Sequence, residues 1–172
     1  MMKSHFIPLL VSAIFLLQAC EESPQMSSVD PVNWQKRMAS QPLPDSLESG
    51  ITYLSVYSEI YSHNEQSTHD LAVTVSMRNT SITDTIFINR AEYFDTKGRA
   101  IRSYFDQSIY LAPMETVEIV IDQADQTGGS GANFLFDWQI PVESSEPLFE
   151  AVMISTYGQQ GLSFTTQGKR IQ

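Results

Sequence analysis

The sequence predicts an all-β protein, an immunoglobulin-like antiparallel sandwich of about eight strands, and three observations carry that expectation. Apolar and polar residues alternate with a period of two in several separate runs, as half-buried strands require. Turn residues divide those runs at short intervals. No long amphipathic helix follows residue 50. The chain has 172 residues, 42% of them hydrophobic, with a formal net charge of −10. That is enough for one core plus attachments. The acidic balance argues against nucleic acid and against docking on anionic lipid through a basic patch. No repeat of solenoid period is present.

Taken in order, the chain opens with "MMKSHFIPLLVSAIFLLQAC". Lys3 gives a short positive start, and Phe6 to Leu17 is an uncharged apolar stretch. It is shorter than the ~20 residues of a membrane span and fits the apolar region of a secretory signal. Leu17-Gln18-Ala19-Cys20 resembles the lipobox of bacterial lipoprotein precursors. The resemblance implies a signal peptide over 1–19, cleavage before Cys20 and a lipid on its thiol. Cys20 is the sole cysteine, so lipidation leaves no thiol for a disulfide in an oxidising compartment. The expected address is a bacterial cell envelope. Glu21, where aspartate marks inner-membrane retention, leans toward the outer membrane in a Gram-negative cell. The membrane, reached through the lipid, is one expected partner, and an envelope protein or small ligand is the other.

Residues 20–49 read as the lipidated cysteine and a flexible tether, polar and punctuated by Pro24, Pro31, Pro42 and Pro44. One helical turn is expected in it, with Asp30 as cap and Pro31 first, followed by "VNWQKRM". Trp34 and Met38 would share a face of that turn and either pack on the domain or meet a partner.

The sandwich is expected over 50–172. "LAVTVSMRN" sets Leu71, Val73, Val75 and Met77 opposite Ala72, Thr74, Ser76 and Arg78. "TVEIVID" sets Val117, Ile119 and Ile121 on one side, and "NFLFDWQI" does the same with Phe134, Phe136, Trp138 and Ile140. "TDTIFINRAEYF" has mixed parity and predicts a bulge. "ITYLSVYSEIY" also changes parity, but its β-branched and tyrosine content favours strand. "PLFEAVMIST" is apolar on both faces near its middle, as for a central strand. Asp95-Thr96-Lys97-Gly98 predicts a tight hairpin with Gly98 at positive φ. Ala112-Pro113-Met114-Glu115 and Tyr157-Gly158-Gln159-Gln160-Gly161 mark further breaks.

The phrases "DLAVTVSMRNTS", "EYFDTKGRAIRSY", "LAPMETVEIVI", "GGSGANFLFDW" and "EAVMISTYGQQGLSF" together resemble an exported bacterial family, domain of unknown function 3124. The resemblance covers about Gly50 to Gly168. It implies an immunoglobulin-like sandwich and an envelope address, and it brings no catalytic residue.

Motifs for chemistry are sparse. Gly128-Gly129-Ser130-Gly131-Ala132 approaches the G-x-S-x-G nucleophile elbow, but Ala132 replaces the last glycine and a strand follows where a helix is needed. His63, Glu65, His69 and Asp70 lie in "SHNEQSTHD" at a spacing that matches no compact zinc pattern. Asp122 and Asp125 precede the glycines, without the dense oxygen spacing of an EF-hand. No metal or cofactor is therefore expected, although a calcium role for Asp122 and Asp125 stays open. The glycine loop has two readings. It is a corner that needs positive φ and close strand approach, or, with Gly128, Gly129, Ser130, Gly131 and Asn133, a loop that contacts a ligand. Tyr157, Gly158, Gln159, Gln160 and Gly161 form a second candidate loop. The expected role is non-enzymatic binding. The alternative is an envelope hydrolase using Ser130 or a carboxylate pair that no motif marks.

Overall fold

The structure, a computed structural model, describes residues 32–157 and 160–172, and for Tyr157 the backbone alone. Cys20, the predicted signal and the predicted cap Asp30-Pro31 lie outside the described residues. The strands are β1 (Leu47–Ser55), β2 (Glu59–Tyr61), β3 (Thr68–Asp70), β4 (Ala72–Arg78), β5 (Ile86–Phe94), β6 (Ala100–Ser103), β7 (Ile109–Leu111), β8 (Thr116–Ile121), β9 (Asn133–Pro141), β10 (Leu148–Tyr157), β11 (Gln160–Gln167) and β12 (Lys169–Arg170). All pairings between them are antiparallel. Seven of these strands run six residues or more. The expected count of about eight falls short because strands of two to four residues are too brief to carry a period-two signal.

Two sheets pack face to face. One has the order β12-β1-β9-β5-β6, with β7 also on β5, and the other runs β11-β10-β4-β8. The chain crosses from β4 to β5, returns to set β8 beside β4, then crosses again to set β9 beside β5. That interlock is the B–E and C–F pairing of an immunoglobulin-like sandwich. The flanks extend it differently: β1 lies beside β9, and β10 lies beside β4.

Alternation fills the core. Val73, Val75 and Met77 of β4, Val117, Ile119 and Ile121 of β8, and Phe134, Phe136, Trp138 and Ile140 of β9 are all buried. Phe134, Phe136 and Phe149 form a stack with centroids 5.4 and 4.3 Å apart. Phe149 belongs to β10, so this stack joins the two sheets. Each such ring contributes about 1.5–3 kcal/mol by leaving water. Trp138 donates its indole N–H to Thr52 Oγ1 at 2.9 Å. Its ring lies so close to Gly50 that a Cβ there would fall 2.3 Å from Trp138 Cζ2.

The predicted bulge is in β5. The register against β9 shifts between Ile88 and Arg90, leaving Asn89 unpaired there. The buried set passes from Ile86 and Ile88 to Ala91 and Tyr93, which explains the mixed parity. The Asp95–Gly98 turn joins β5 to β6, with Gly98 at φ 73. Asp95 Oδ1 accepts from the N–H groups of Lys97 and Arg99. β10 is central in its sheet, but its outer face is open: Val152 and Ile154 are exposed.

The tether expectation needs correction from Val32 onward. Trp34–Arg37 forms a 3-10 turn whose cap is Asn33; its side chain accepts from the Lys36 N–H. The turn is docked. Trp34 meets Tyr104 and Phe105 at centroid distances of 6.4 and 5.2 Å. Arg37 pairs with Glu115 at 2.8 Å. Met38 bridges Ile109, and the Ala39 N–H donates to Ser108 O. This strap therefore covers part of the edge at β7, which an open edge strand otherwise leaves unpaired.

Candidate functional site

The glycine loop closes a corner between β8 and β9. Asp122 Oδ1 accepts from the Ala124 N–H, and Asp125 Oδ1 accepts from the N–H and hydroxyl of Thr127. Gly129–Gly131 makes one 3-10 turn, with Gly129 at φ 72. Thr96, in the β5–β6 turn, donates its N–H and its hydroxyl to Gly128 O and accepts from the Gly131 N–H. The Ser58 N–H donates to Gly129 O. A Cβ at Gly128 would sit 1.9 Å from Tyr93 Oη, which itself shares a buried 2.8 Å hydrogen bond with Ser58 Oγ. The glycines thus have a packing reason for being glycines. Ser130 and Asn133 are half-buried, and Asn133 opens β9 opposite Ser55 and Phe94.

Asp125, just ahead of the loop, is already paired. Arg102 donates to Asp125 Oδ2 at 2.9 Å, with its guanidinium over the Tyr104 ring. Burial opposes ionisation of Asp125, but hydrogen bonds from Thr127 and Arg102 overcome it and hold the carboxyl below its ordinary range. Burial also pushes the Tyr93 hydroxyl up to about 12, against the opposing effect of its hydrogen bond with Ser58. Among the described residues, no three His, Cys, Asp or Glu side chains group as metal ligands would. The calcium idea loses its footing at Asp125, whose oxygens serve Arg102 and Thr127.

The second candidate loop borders a cleft of about 380 Å³, near the lower end of ligand-pocket sizes. One wall is the β2–β3 hairpin, whose tip and β3 strand come from the "SHNEQSTHD" segment that the sequence presents as a polar loop. Its tip is fastened by the Ser62 N–H to Ser67 O and by the Gln66 N–H to Asn64 Oδ1. His63 Nδ1 shares a 2.8 Å hydrogen bond with Ser62 Oγ. Ile60, Tyr61, Ser62 and His69 line this wall. The β10–β11 hairpin supplies Ser155, Gln160, Gly161 and Leu162 opposite. Gly158 and Gln159 lie outside the described residues, and Tyr157 pairs with Gln160 in the ladder.

The two predicted loops therefore flank one element. Ser58, just ahead of β2, is bonded to Gly129, while Ile60 and Tyr61 within β2 face the cleft with Gly161. Gly128, Gly129, Ser130, Gly131 and Asn133 do not line that cleft. Sequence reasoning missed Ile60 and Tyr61 as site residues. The available signal was an apolar-aromatic pair entering a polar loop.

The model of the family "Protein of unknown function (DUF3124)" matches residues 49–171. No curated protein matches the chain. A crystal structure described as Thermotoga maritima 1070 is similar at 9% identity and a TM-score of 0.45, over 70% of this chain and 92% of that one. With nearly all of the sandwich inside the match, the chain belongs to the DUF3124 family.

Proposed function

We propose that the protein is a lipid-anchored component of a bacterial envelope that binds a ligand at the hairpin end of its sandwich and performs no turnover. The observation that carries the binding reading is the cleft between the β2–β3 and β10–β11 hairpins. Two elements distant in sequence meet there around open space, at an end of the sandwich, where loops commonly bind. The anchor reading is supported by Leu17-Gln18-Ala19-Cys20 and by the absence of any other cysteine in the sequence. The hydrolase reading through Ser130 has weaker support. A 3-10 turn leading into a strand stands where the elbow needs a strand leading into a helix.

The test combines location with activity. Cells expressing the full chain are fed a labelled fatty acid, and membranes are separated from soluble extract. Label on the protein that disappears in Cys20→Ala, with release of that variant from the membrane, supports the anchor. An unlabelled, freely soluble wild type overturns it. Hydrolysis of an ester, peptide or glycan substrate that Ser130→Ala abolishes overturns the non-enzymatic role.

A further inference from the structure

We infer that β11 is a self-pairing edge, along which two copies of this chain join as a two-fold dimer. The inference goes beyond the binding reading and does not depend on what the cleft takes. Among the described residues, the other sheet edges are short, charged or covered. β6 has four residues and carries Arg102, and β12 has two, Lys169 and Arg170. β8 carries the exposed Glu118 within the strand. The strap lies on β7. β11 differs on each count. It ends the order β11-β10-β4-β8, and its eight residues, "QGLSFTTQ", include no charge and no proline. It keeps an unbroken register with β10. Natural edges are blunted by charge, proline, bulges or cover. A long edge with none of these is built to be paired.

The register of that pairing follows from the backbone. Gly168 N–H donates to Phe149 O, the next pair after Gln167 and Glu150. In an antiparallel ladder the bonded side alternates from residue to residue. Even-numbered residues of β11 therefore bond to β10, while Gly161, Ser163, Thr165 and Gln167 turn their N–H and C=O groups to the open side. All four are exposed. One two-fold register uses all four. It sets Gly161 opposite the partner's Gln167 and Ser163 opposite the partner's Thr165, and each of these pairs exchanges both bonds. Phe164 then faces its own copy in a non-hydrogen-bonded pair, where side chains come closest. Phe164 is half-buried, with its ring 5.6 Å from Tyr57, so the dimer prolongs that aromatic row across the two-fold axis. The four strands of this sheet in each copy become one continuous sheet. Both free edges are used up by a single contact, so the assembly closes at two.

A foreign peptide could use the same backbone groups. Charge at the two ends of β11 favours a second copy. The β2–β3 hairpin faces the start of β11 across the cleft, and its residues 59–70 include Glu59, Glu65 and Asp70 with no lysine or arginine. At the other end β11 runs into exposed Lys169, beside Arg170, which is held by Glu146. Antiparallel pairing brings the basic end of each copy to the acidic end of the other. Two chains of net charge −10 otherwise repel, and the uncharged strand between complementary ends is where they can meet.

The test is sedimentation equilibrium of the full-length protein in density-matched detergent, with micelles in excess over protein. A concentration-dependent dimer is expected, and a wild type that stays monomeric up to its solubility limit overturns the inference. Ser163→Lys with Thr165→Lys sets lysine against lysine and should raise the dissociation constant by about tenfold or more. Both positions are exposed, so the urea midpoint should hold. Ser163→Lys with Thr165→Glu sets opposite charges together in the same register and should restore the dimer, which a merely damaged strand would not do. Lys169→Glu should weaken it. Ile82→Lys, at an exposed residue between β4 and β5, should leave it unchanged. A dimer indifferent to the lysine pair, or no recovery with the lysine–glutamate pair, overturns the inference. A photocrosslinking residue at position 163 in cells identifies the occupant. Capture of a second copy is expected. Capture of a different protein alone, or of nothing, overturns self-pairing.

Discussion

Gly128 and Gly129 are neighbours with different physical reasons to lack a side chain. At Gly128 the reason is space, since Tyr93 Oη and Ser58 Oγ occupy the place of a Cβ. At Gly129 the reason is backbone, with φ at 72. Gly128→Ala should force the Tyr93–Ser58 pair apart and lower the unfolding free energy by about 2 kcal/mol or more, as overpacking does. Gly129→Ala should cost about 1–2 kcal/mol through the left-handed conformation. Gly161→Ala, with nothing near the added carbon, should be neutral within about 0.5 kcal/mol. Urea unfolding of the three variants checks the order. Tyr93 also sets an alkaline limit. Its folded pKa, about 12, lies above the ordinary 10.0. Below about 10 both states keep the proton. As pH rises from there toward 12, the unfolded chain ionises first and stability falls, by roughly 2–3 kcal/mol in all. The urea midpoint should therefore drop between about pH 10 and 12, and drop less in Tyr93→Phe, where that proton is absent.

At the scale of elements, the face of each long strand can be read from its residues because the two sides differ in chemistry. In β9, Phe134, Phe136, Trp138 and Ile140 face the core while Asp137 meets Arg90 on the outside. β10 shows where that logic stops. Val152 and Ile154 look like core residues in the sequence, but among the described residues the sheet they belong to has no layer outside it. Met153→Ala should cost about 2–5 kcal/mol as a core cavity, whereas Ile154→Thr should stay within about 0.5 kcal/mol. Guanidinium melts of the two distinguish an open outer face from a covered one. The pairing of β2 with β3 escaped sequence reading for a related reason: β2 ends the run "ITYLSVYSEIY" that reads as strand, but β3 lies in a segment that reads as a polar loop. Three-residue strands show no period. Its pairing of Ile60 with His69, and their meeting with Gln160 and Leu162 some ninety residues on, comes from tertiary packing that no local pattern records. The glycine loop was visible for the opposite reason, since a run of glycines marks a backbone or spacing demand wherever it occurs.

For the whole molecule, the strap at 32–46 decides how far the domain stands from its proposed anchor. Eleven residues lie between Cys20 and Val32, and 26 between Cys20 and Leu47, where β1 starts. Fully extended, these spans reach at most about 40 and 90 Å. With the strap docked, the shorter ceiling applies, so a lipid on Cys20 would hold the sandwich close to the bilayer. The contacts holding the strap are few. The half-buried Trp34 ring against Tyr104 and Phe105 contributes about 0.5–1.5 kcal/mol per aromatic pair. The partly exposed Arg37–Glu115 bridge adds about 1 kcal/mol or less. Removing both, as Trp34→Ala with Arg37→Ala, should release the strap while leaving the main sandwich core intact, because neither residue belongs to the buried set. A dye on Gly161→Cys in vesicles containing a lipid-borne acceptor reads the result as energy transfer. Transfer should be strong with the strap intact and fall in the double variant. Equal transfer in both would mean that the strap does not set the distance, and that the contacts at Trp34 and Arg37 serve the fold alone.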